Sequence, residues 1–164
     1  MSRIECNNLP KYLNWFYPTE KYIEKACETI SRDFNENSVI FKGKMVRGTY
    51  DNGKFSYEHI FKLDEENITD EERKSRAKYA PIIKPFLQLV SENRCCDKLK
   101  IWRCPDKGKS KIKIFCEETR LFVILSYRPN SDHYVLLTAY PVNRRHTYSK
   151  ILKEYNSLKN NRIL

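Results

Sequence analysis

Residues 98–140, KLKIWRCPDKGKSKIKIFCEETRLFVILSYRPNSDHYVLLTAY, decide how this chain folds. The stretch divides into runs of strand length at 98–104, 110–116, 120–128 and 133–140. Pro105-Asp106-Lys107-Gly108-Lys109 and Pro129-Asn130-Ser131-Asp132 separate two pairs of these runs with residues that favour turns. Short links between successive strands predict antiparallel hairpins. Residues 121–125 are apolar on both faces, as expected of a central strand covered from both sides. Pro141 should stop the last strand.

Helical patterns flank this block. Tyr148, Ile151, Leu152, Tyr155 and Leu158 mark an amphipathic C-terminal helix. Upstream, Thr69-Asp70-Glu71-Glu72 has the form of a capping box and opens a helix carrying Arg73, Lys74, Arg76 and Lys78. Pro81 and Pro85 should kink that helix or begin a new turn. Ile82, Ile83, Phe86, Leu87 and Val90 then predict an inward-packing segment to about Ser91. Nearer the N-terminus, Thr19 caps a helix on which Ile23, Cys27, Ile30 and Phe34 recur. Residues 38–63 read as extended, with Asp51-Asn52-Gly53 as the hairpin turn between strands 44–50 and 54–63. In the second of these, Phe55, Tyr57, His59, Phe61 and Leu63 share one face. The expected fold class is α+β, an antiparallel sheet of about four to five strands packed against N-terminal and C-terminal helices. Residues 1–50 read as a helix-and-hairpin appendage to a main unit spanning 51–164.

The charge is segregated. The chain has 164 residues and a net charge of +10, from 31 Lys and Arg against 21 Asp and Glu. Residues 98–164 hold 15 basic against 5 acidic side chains, and residues 1–97 hold 16 of each, so the whole surplus lies on the sheet and C-terminal helix. Segregated positive charge points to a polyanion partner, with nucleic acid or an anionic surface the leading class. The bland alternative is a basic protein with no nucleic-acid role. The first ten residues lack the apolar core of a secretory signal, and no run approaches the ~20 apolar residues of a spanning helix. A cytoplasmic location and no membrane partner are therefore expected. The six cysteines, at 6, 27, 95, 96, 104 and 116, form no C-x-x-C pair. Reduced, partly buried thiols are the better reading, with a zinc site from 95, 96, 104 and 116 as the alternative.

Candidate binding residues follow from strand alternation. Lys98, Lys100 and Trp102 share a side of one strand, and Lys111, Lys113 and Phe115 a side of the next. Hairpin pairing would join them into a patch of lysines and exposed rings suited to phosphates and stacked bases. The competing reading is a solvated face whose lysines guard a sheet edge. Ser126 and Arg128 share a side of the third run, and Thr138, Tyr140 and Tyr134 a side of the fourth. Facing together, they would offer a guanidinium and hydroxyls to a phosphate. Ordinary strand composition explains Thr138 and Tyr140 equally. His59 lies in a strand among aromatics and can transfer a proton near neutral pH, unless it is a core histidine held by a hydrogen bond. His133 and His146, at a turn and a helix entry, read as surface residues. With four glycines there is no P-loop or dinucleotide fingerprint, and no cofactor is expected. No carboxylates group with a histidine, so no metal is expected and metal-dependent phosphodiester chemistry is disfavoured.

Three stretches resemble a known family. Glu72-Arg73-Lys74-Ser75-Arg76-Ala77-Lys78-Tyr79 with Ile82-Ile83-Lys84-Pro85 and Leu87, Tyr134-Val135-Leu136-Leu137-Thr138-Ala139-Tyr140-Pro141, and Tyr57-Glu58-His59-Ile60 are similar to the barnase–EndoU–colicin–RelE ribonuclease fold in its phage-associated branches. The resemblance covers roughly residues 55–155. It implies a nuclease domain that cleaves RNA without metal, by attack of the ribose 2′-hydroxyl on phosphorus to give a cyclic phosphate. It casts His59 as general base or acid, Arg128 and Arg76 as stabilisers of the phosphorane, and Thr138 and Tyr140 as ligands of phosphate or the 2′-hydroxyl. No clear second histidine is present, so a Tyr or Lys would carry the other proton. The expected protein is a cytoplasmic endoribonuclease, phage-borne or a toxin, with RNA as substrate and a protein inhibitor or antitoxin as a possible partner. The alternatives are a non-catalytic RNA-binding module and a host-interaction protein.

Overall fold

A computed structural model describes residues 22–36, 39–48, 50–51, 54–55, 60–63, 65–95, 97–106 and 109–162. Helix α1 (Tyr22–Ser31) runs into a π-helical turn, Arg32–Glu36, and buries Ala26, Ile30 and Phe34 on one side. Its expected cap, Thr19, lies outside the described residues. Strands β1 (Val39–Phe41) and β2 (Lys44–Arg47) follow as a hairpin. Its two-residue loop, Lys42-Gly43, has φ of 50° and 80°, the left-handed pair that matches strand twist. Strands β3 (Tyr50–Asp51) and β4 (Lys54–Phe55) pair antiparallel on either side of the expected turn.

The strand expected over 54–63 needs correction. Ile60 is helical, residues 61–63 form a turn, and Ile60, Phe61 and Leu63 are all buried. Period-two alternation cannot bury two consecutive side chains on one face, whereas a helical turn can. Tyr57 and His59 lie outside the described residues.

Helix α2 (Asp70–Lys78) starts where expected, with the Thr69 hydroxyl accepting the Glu72 N–H at 3.2 Å. Helix α3 (Ala80–Ser91) admits Pro81 in its first turn, carries Pro85 inside, and buries Ile82, Ile83, Phe86, Leu87 and Val90. The four strands expected within residues 98–140 are present as β5 (Leu99–Asp106), β6 (Lys109–Cys116), β7 (Leu121–Arg128) and β8 (His133–Pro141). Helix α4 (Arg145–Ser157) and a 3₁₀ turn, Lys159–Asn161, follow.

The class is α+β, but the sheet has six strands in the order β1-β2-β8-β7-β6-β5 and is mixed. β2 lies parallel to β8, with Val46 opposite Tyr134 and Arg47 opposite Val135. This pairing joins segments almost ninety positions apart, so no local pattern announces it. One sheet face carries the larger core, where Ile101, Ile114, Val123, Leu125 and Leu136 meet Ile30, Ile83, Phe86 and Val90 of the helices. The opposite face carries a second, aromatic cluster beneath α4. No helix among the described residues is long and apolar enough to cross a membrane.

Candidate nucleic-acid interface

The expected lysine face forms, but it is covered. In the β5–β6 register Lys100 lies opposite Phe115 and Trp102 opposite Lys113, so both sets share one side. The expectation of exposed rings is corrected. Trp102 and Phe115 are each 0% exposed, because the stripe Tyr148, Ile151, Leu152, Tyr155 and Leu158 of α4 packs onto them. Trp102 meets Tyr155 at 5.4 Å between centroids, and Phe115 meets Tyr148 at 5.8 Å. A buried indole N–H needs an acceptor. Glu154 supplies it at 3.1 Å and also takes the Lys113 ammonium at 2.7 Å. Partial burial alone would raise the Glu154 carboxyl, but Lys113 and Trp102 together outweigh it and hold the group below its ordinary value. Glu117 is likewise held low: its own partial burial is outweighed by hydrogen bonds from Tyr148 at 2.8 Å and Lys100 at 3.1 Å. Lys100 and Lys113 are thus engaged in holding α4 and its surroundings. Lys98 stays exposed at the entry to β5.

α4 leaves one end of this face open. Lys111 lies opposite Ser126, Ser126 opposite Val135, and Arg128 opposite His133. There the β7–β8 turn and the start of β6 enclose an open groove of about 640 Å³, lined by Lys109, Ser110, Arg128, Asn130, Ser131, His133 and Val135. Among the described residues no carboxylate lines it. Asp132, in the same turn, accepts from the hydroxyl of Tyr127, which also lines the groove, and from Lys44 at 2.6 Å. These hydrogen bonds, from Lys44 and then Tyr127, hold the Asp132 carboxyl below its ordinary value. The groove therefore presents cations, hydroxyls and an amide.

The other end of β8 holds a different arrangement. Arg76 of α2 lies over the Tyr140 ring at 4.9 Å. It donates to the Lys62 carbonyl and to Glu65, each at 2.6 Å. Arg144 donates to Glu65 at 3.3 Å and to Glu72 at 2.8 Å, which is why the Glu72 side chain does not close the capping box. Burial raises the Tyr140 phenol above its ordinary value, Arg76 pulls it back and Glu65 pushes it up. Thr138, two residues before Tyr140 on the same face, is buried. The void among Glu72, Arg76, Tyr140, Asn143 and Arg144 measures about 20 Å³, room for one water.

The expected Arg–Ser–Thr–Tyr cluster is therefore split. A bulge shifts the β7–β8 register between Ile124 and Leu125, leaving Leu137 unmatched. Tyr134 consequently lies with Tyr127 and Leu136 on the larger-core face, away from Thr138 and Tyr140. Arg128, opposite His133, is five residues along β8 from Thr138, roughly 15 Å at strand rise. Of the five residues cast in catalysis, Arg76 meets Tyr140, Thr138 lies buried two residues before Tyr140 on the same strand face, Arg128 does not join them, and His59 lies outside the described residues. The zinc alternative also fails on geometry. Cys104 lies opposite Lys111 and Cys116 opposite Leu99, so the two sit on opposite faces of the hairpin and cannot share an ion.

No protein-family model matches this chain, and neither a curated protein nor a solved structure is significantly similar to it.

Two contributors carry little signal in the sequence. His133, expected at the surface of a turn, faces Arg128 across the hairpin, and placing it needs only the register on either side of the 129–132 turn. Glu154 is the one carboxylate of α4, at a position flanked by the apolar stripe residues Ile151, Tyr155 and Leu158. A lone acid on an apolar stripe signals a buried cation or donor opposite it.

Proposed function

We propose that this chain is an RNA-binding protein whose polyanion site is the open groove beside the β7–β8 turn. The observation that supports it is the groove's lining: Lys109, Arg128 and His133 converge with the donors of Ser110, Asn130 and Ser131, with no carboxylate among the described residues. An arginine can hold a phosphate bidentately, and hydroxyl and amide donors complete the oxygens. RNA is the polyanion that the resemblance of residues 55–155 implies, and it is the one to test first. The test is binding of a labelled oligouridine across a salt series. Replacing Lys109 and Arg128 by Ala should lower the slope of log K against log salt by about 0.7 for each phosphate no longer neutralised. An unchanged slope removes the groove from the interface.

A second reading, a metal-independent endoribonuclease of the kind the sequence resembles, is favoured by the meeting of Arg76 and Tyr140. In it the 2′-hydroxyl oxygen bonds to phosphorus, its proton passes to a base such as His59, and the 5′-oxygen leaves with a proton from a donor such as Tyr140. Arg76 would have to exchange Glu65 for the phosphorane oxygens. A phage-borne or toxin-like role, with a protein inhibitor, belongs to this reading. Incubating RNA with the protein in EDTA and examining the ends decides it. Cyclic phosphate ends that disappear in Tyr140→Phe, with RNA binding kept, support it, and intact RNA removes it.

A further inference from the structure

The outward side of α4 differs in character from the side it packs on the sheet. Its exposed positions are Arg145, His146, Ser149, Lys150, Lys153 and Asn156, followed by Ser157. The only carboxylate of the helix, Glu154, is turned inward to Trp102 and Lys113. Among the described residues Arg145, Lys150 and Lys153 have no ion-pair partner. The outer face is therefore basic from Arg145 to Lys153, about 12 Å of helix, with no ion-pair partner among the described residues.

We infer that this outer face of α4 grips the phosphate backbone of RNA on either side of the nucleotides held in the groove, an inference that rests on the RNA-binding reading above. The composition of the face selects the partner. An interfacial membrane helix needs an outward apolar stripe, and every apolar residue of α4 is turned toward the sheet. A protein interface is anchored by buried aromatic residues, and both tyrosines of α4 are engaged with Phe115 and Trp102. Long cations interspersed with serine and asparagine donors match phosphate oxygens instead. Location agrees, because α4 covers the same side of the sheet whose uncovered end is the groove. A strand leaving the groove along that side passes α4 with cations facing it.

The test uses the full chain with Arg145→Ala, Lys150→Ala and Lys153→Ala combined. Alanine is the best helix former, so exposed positions accept it, and an unchanged melting curve confirms folding. The control removes the same charge from the opposite helical layer, with Lys25→Ala, Lys78→Ala and Lys84→Ala. With a labelled oligouridine, the α4 variant should lower the salt slope by roughly 2 relative to the control, about 0.7 for each phosphate released. Equal slopes in the two variants overturn the inference. If native protein binds the oligouridine without salt dependence, the RNA-binding reading itself falls. If Arg128→Ala lowers the slope while the α4 variant does not, the reading stands and only this inference falls. Loss of binding to phosphatidylserine vesicles with the RNA slope retained would likewise overturn it, in favour of a lipid surface.

Discussion

Strand β8 has an arginine near each end, and the two are held in opposite ways. Over Tyr140, near the end of β8, the Arg76 side chain is 6% exposed, its donors spent on the Lys62 carbonyl and Glu65. Arg144 binds Glu65 and Glu72, and what remains open has room for one water. Opposite the start of β8, Arg128 is half-exposed beside a groove of about 640 Å³ and meets no carboxylate among the described residues. The same side chain thus serves the fold where its donors are saturated and is available to a ligand where they are not. The carboxylates follow the same division. Of the five in residues 98–164, Glu117, Asp132 and Glu154 are each turned onto a specific cation or hydroxyl, while Asp106 lies opposite Lys109 in the β5–β6 register.

The largest expected effect tests that division directly. Removing one partner of a buried ion pair costs about 3–5 kcal/mol, reduced here because Glu65 is more than a third exposed. Arg76→Met should therefore destabilise the fold by about 2–3 kcal/mol in urea unfolding. Arg128→Met should stay within about 0.5 kcal/mol, as a surface change away from any network. Equal losses would mean that Arg128 is as structural as Arg76 and would erase the distinction between the two ends.

What is legible in the sequence follows the same physical line. The hairpins of β5–β8 and the stripe of α4 are legible because alternation, turn residues and helical spacing are local signals. Leu121 to Leu125 is recognisable as a central strand, since burial on both faces removes alternation. The parallel β2–β8 pairing and the β7–β8 bulge are not legible, because each depends on register between segments, and the bulge alone moves Tyr134 to the other face. The lysine face lies where alternation puts it, yet its meaning changes: the five-residue apolar stripe of α4 has to cover something, and it covers Trp102 and Phe115. Lys98 and Lys100 look identical in sequence, and only the position of Glu117 separates the exposed one from the paired one.

An intermediate effect is expected where α4 is fastened. Glu154 and Glu117 have carboxyls held below the ordinary glutamate value of 4.5 in the folded protein. A carboxylate with a depressed folded pKa contributes stability above its unfolded value and loses it as pH falls through the folded value, so the native chain should weaken progressively below about pH 4.5. Glu154→Gln keeps an oxygen for the Trp102 N–H but gives up the charge opposite Lys113. The loss should be about 1 kcal/mol near neutral pH, since the pair is partly exposed. The variant should also show a shallower acid slope in its urea midpoint. A slope equal to that of the native chain would show that the pair does not hold α4.

The smallest effect is the most specific to the open end. Arg128→Lys keeps the positive charge but replaces a planar fork with a point charge. If Arg128 meets a phosphate through two parallel hydrogen bonds, oligouridine affinity should fall about fivefold, near 1 kcal/mol, while the salt slope stays at its native value. Counterion release counts charges neutralised and is indifferent to how the oxygens are bonded. Arg128→Gln should lose the slope as well, by about 0.7, because the charge itself is gone. Folding should be unaffected in both, as no ion pair of Arg128 is broken among the described residues. An affinity unchanged in Arg128→Lys but reduced in Arg128→Gln would make the arginine a plain charge. An affinity unchanged in both would leave the groove without a function for its central cation, and the contrast between the two ends of β8 would then reflect solvent exposure and nothing more.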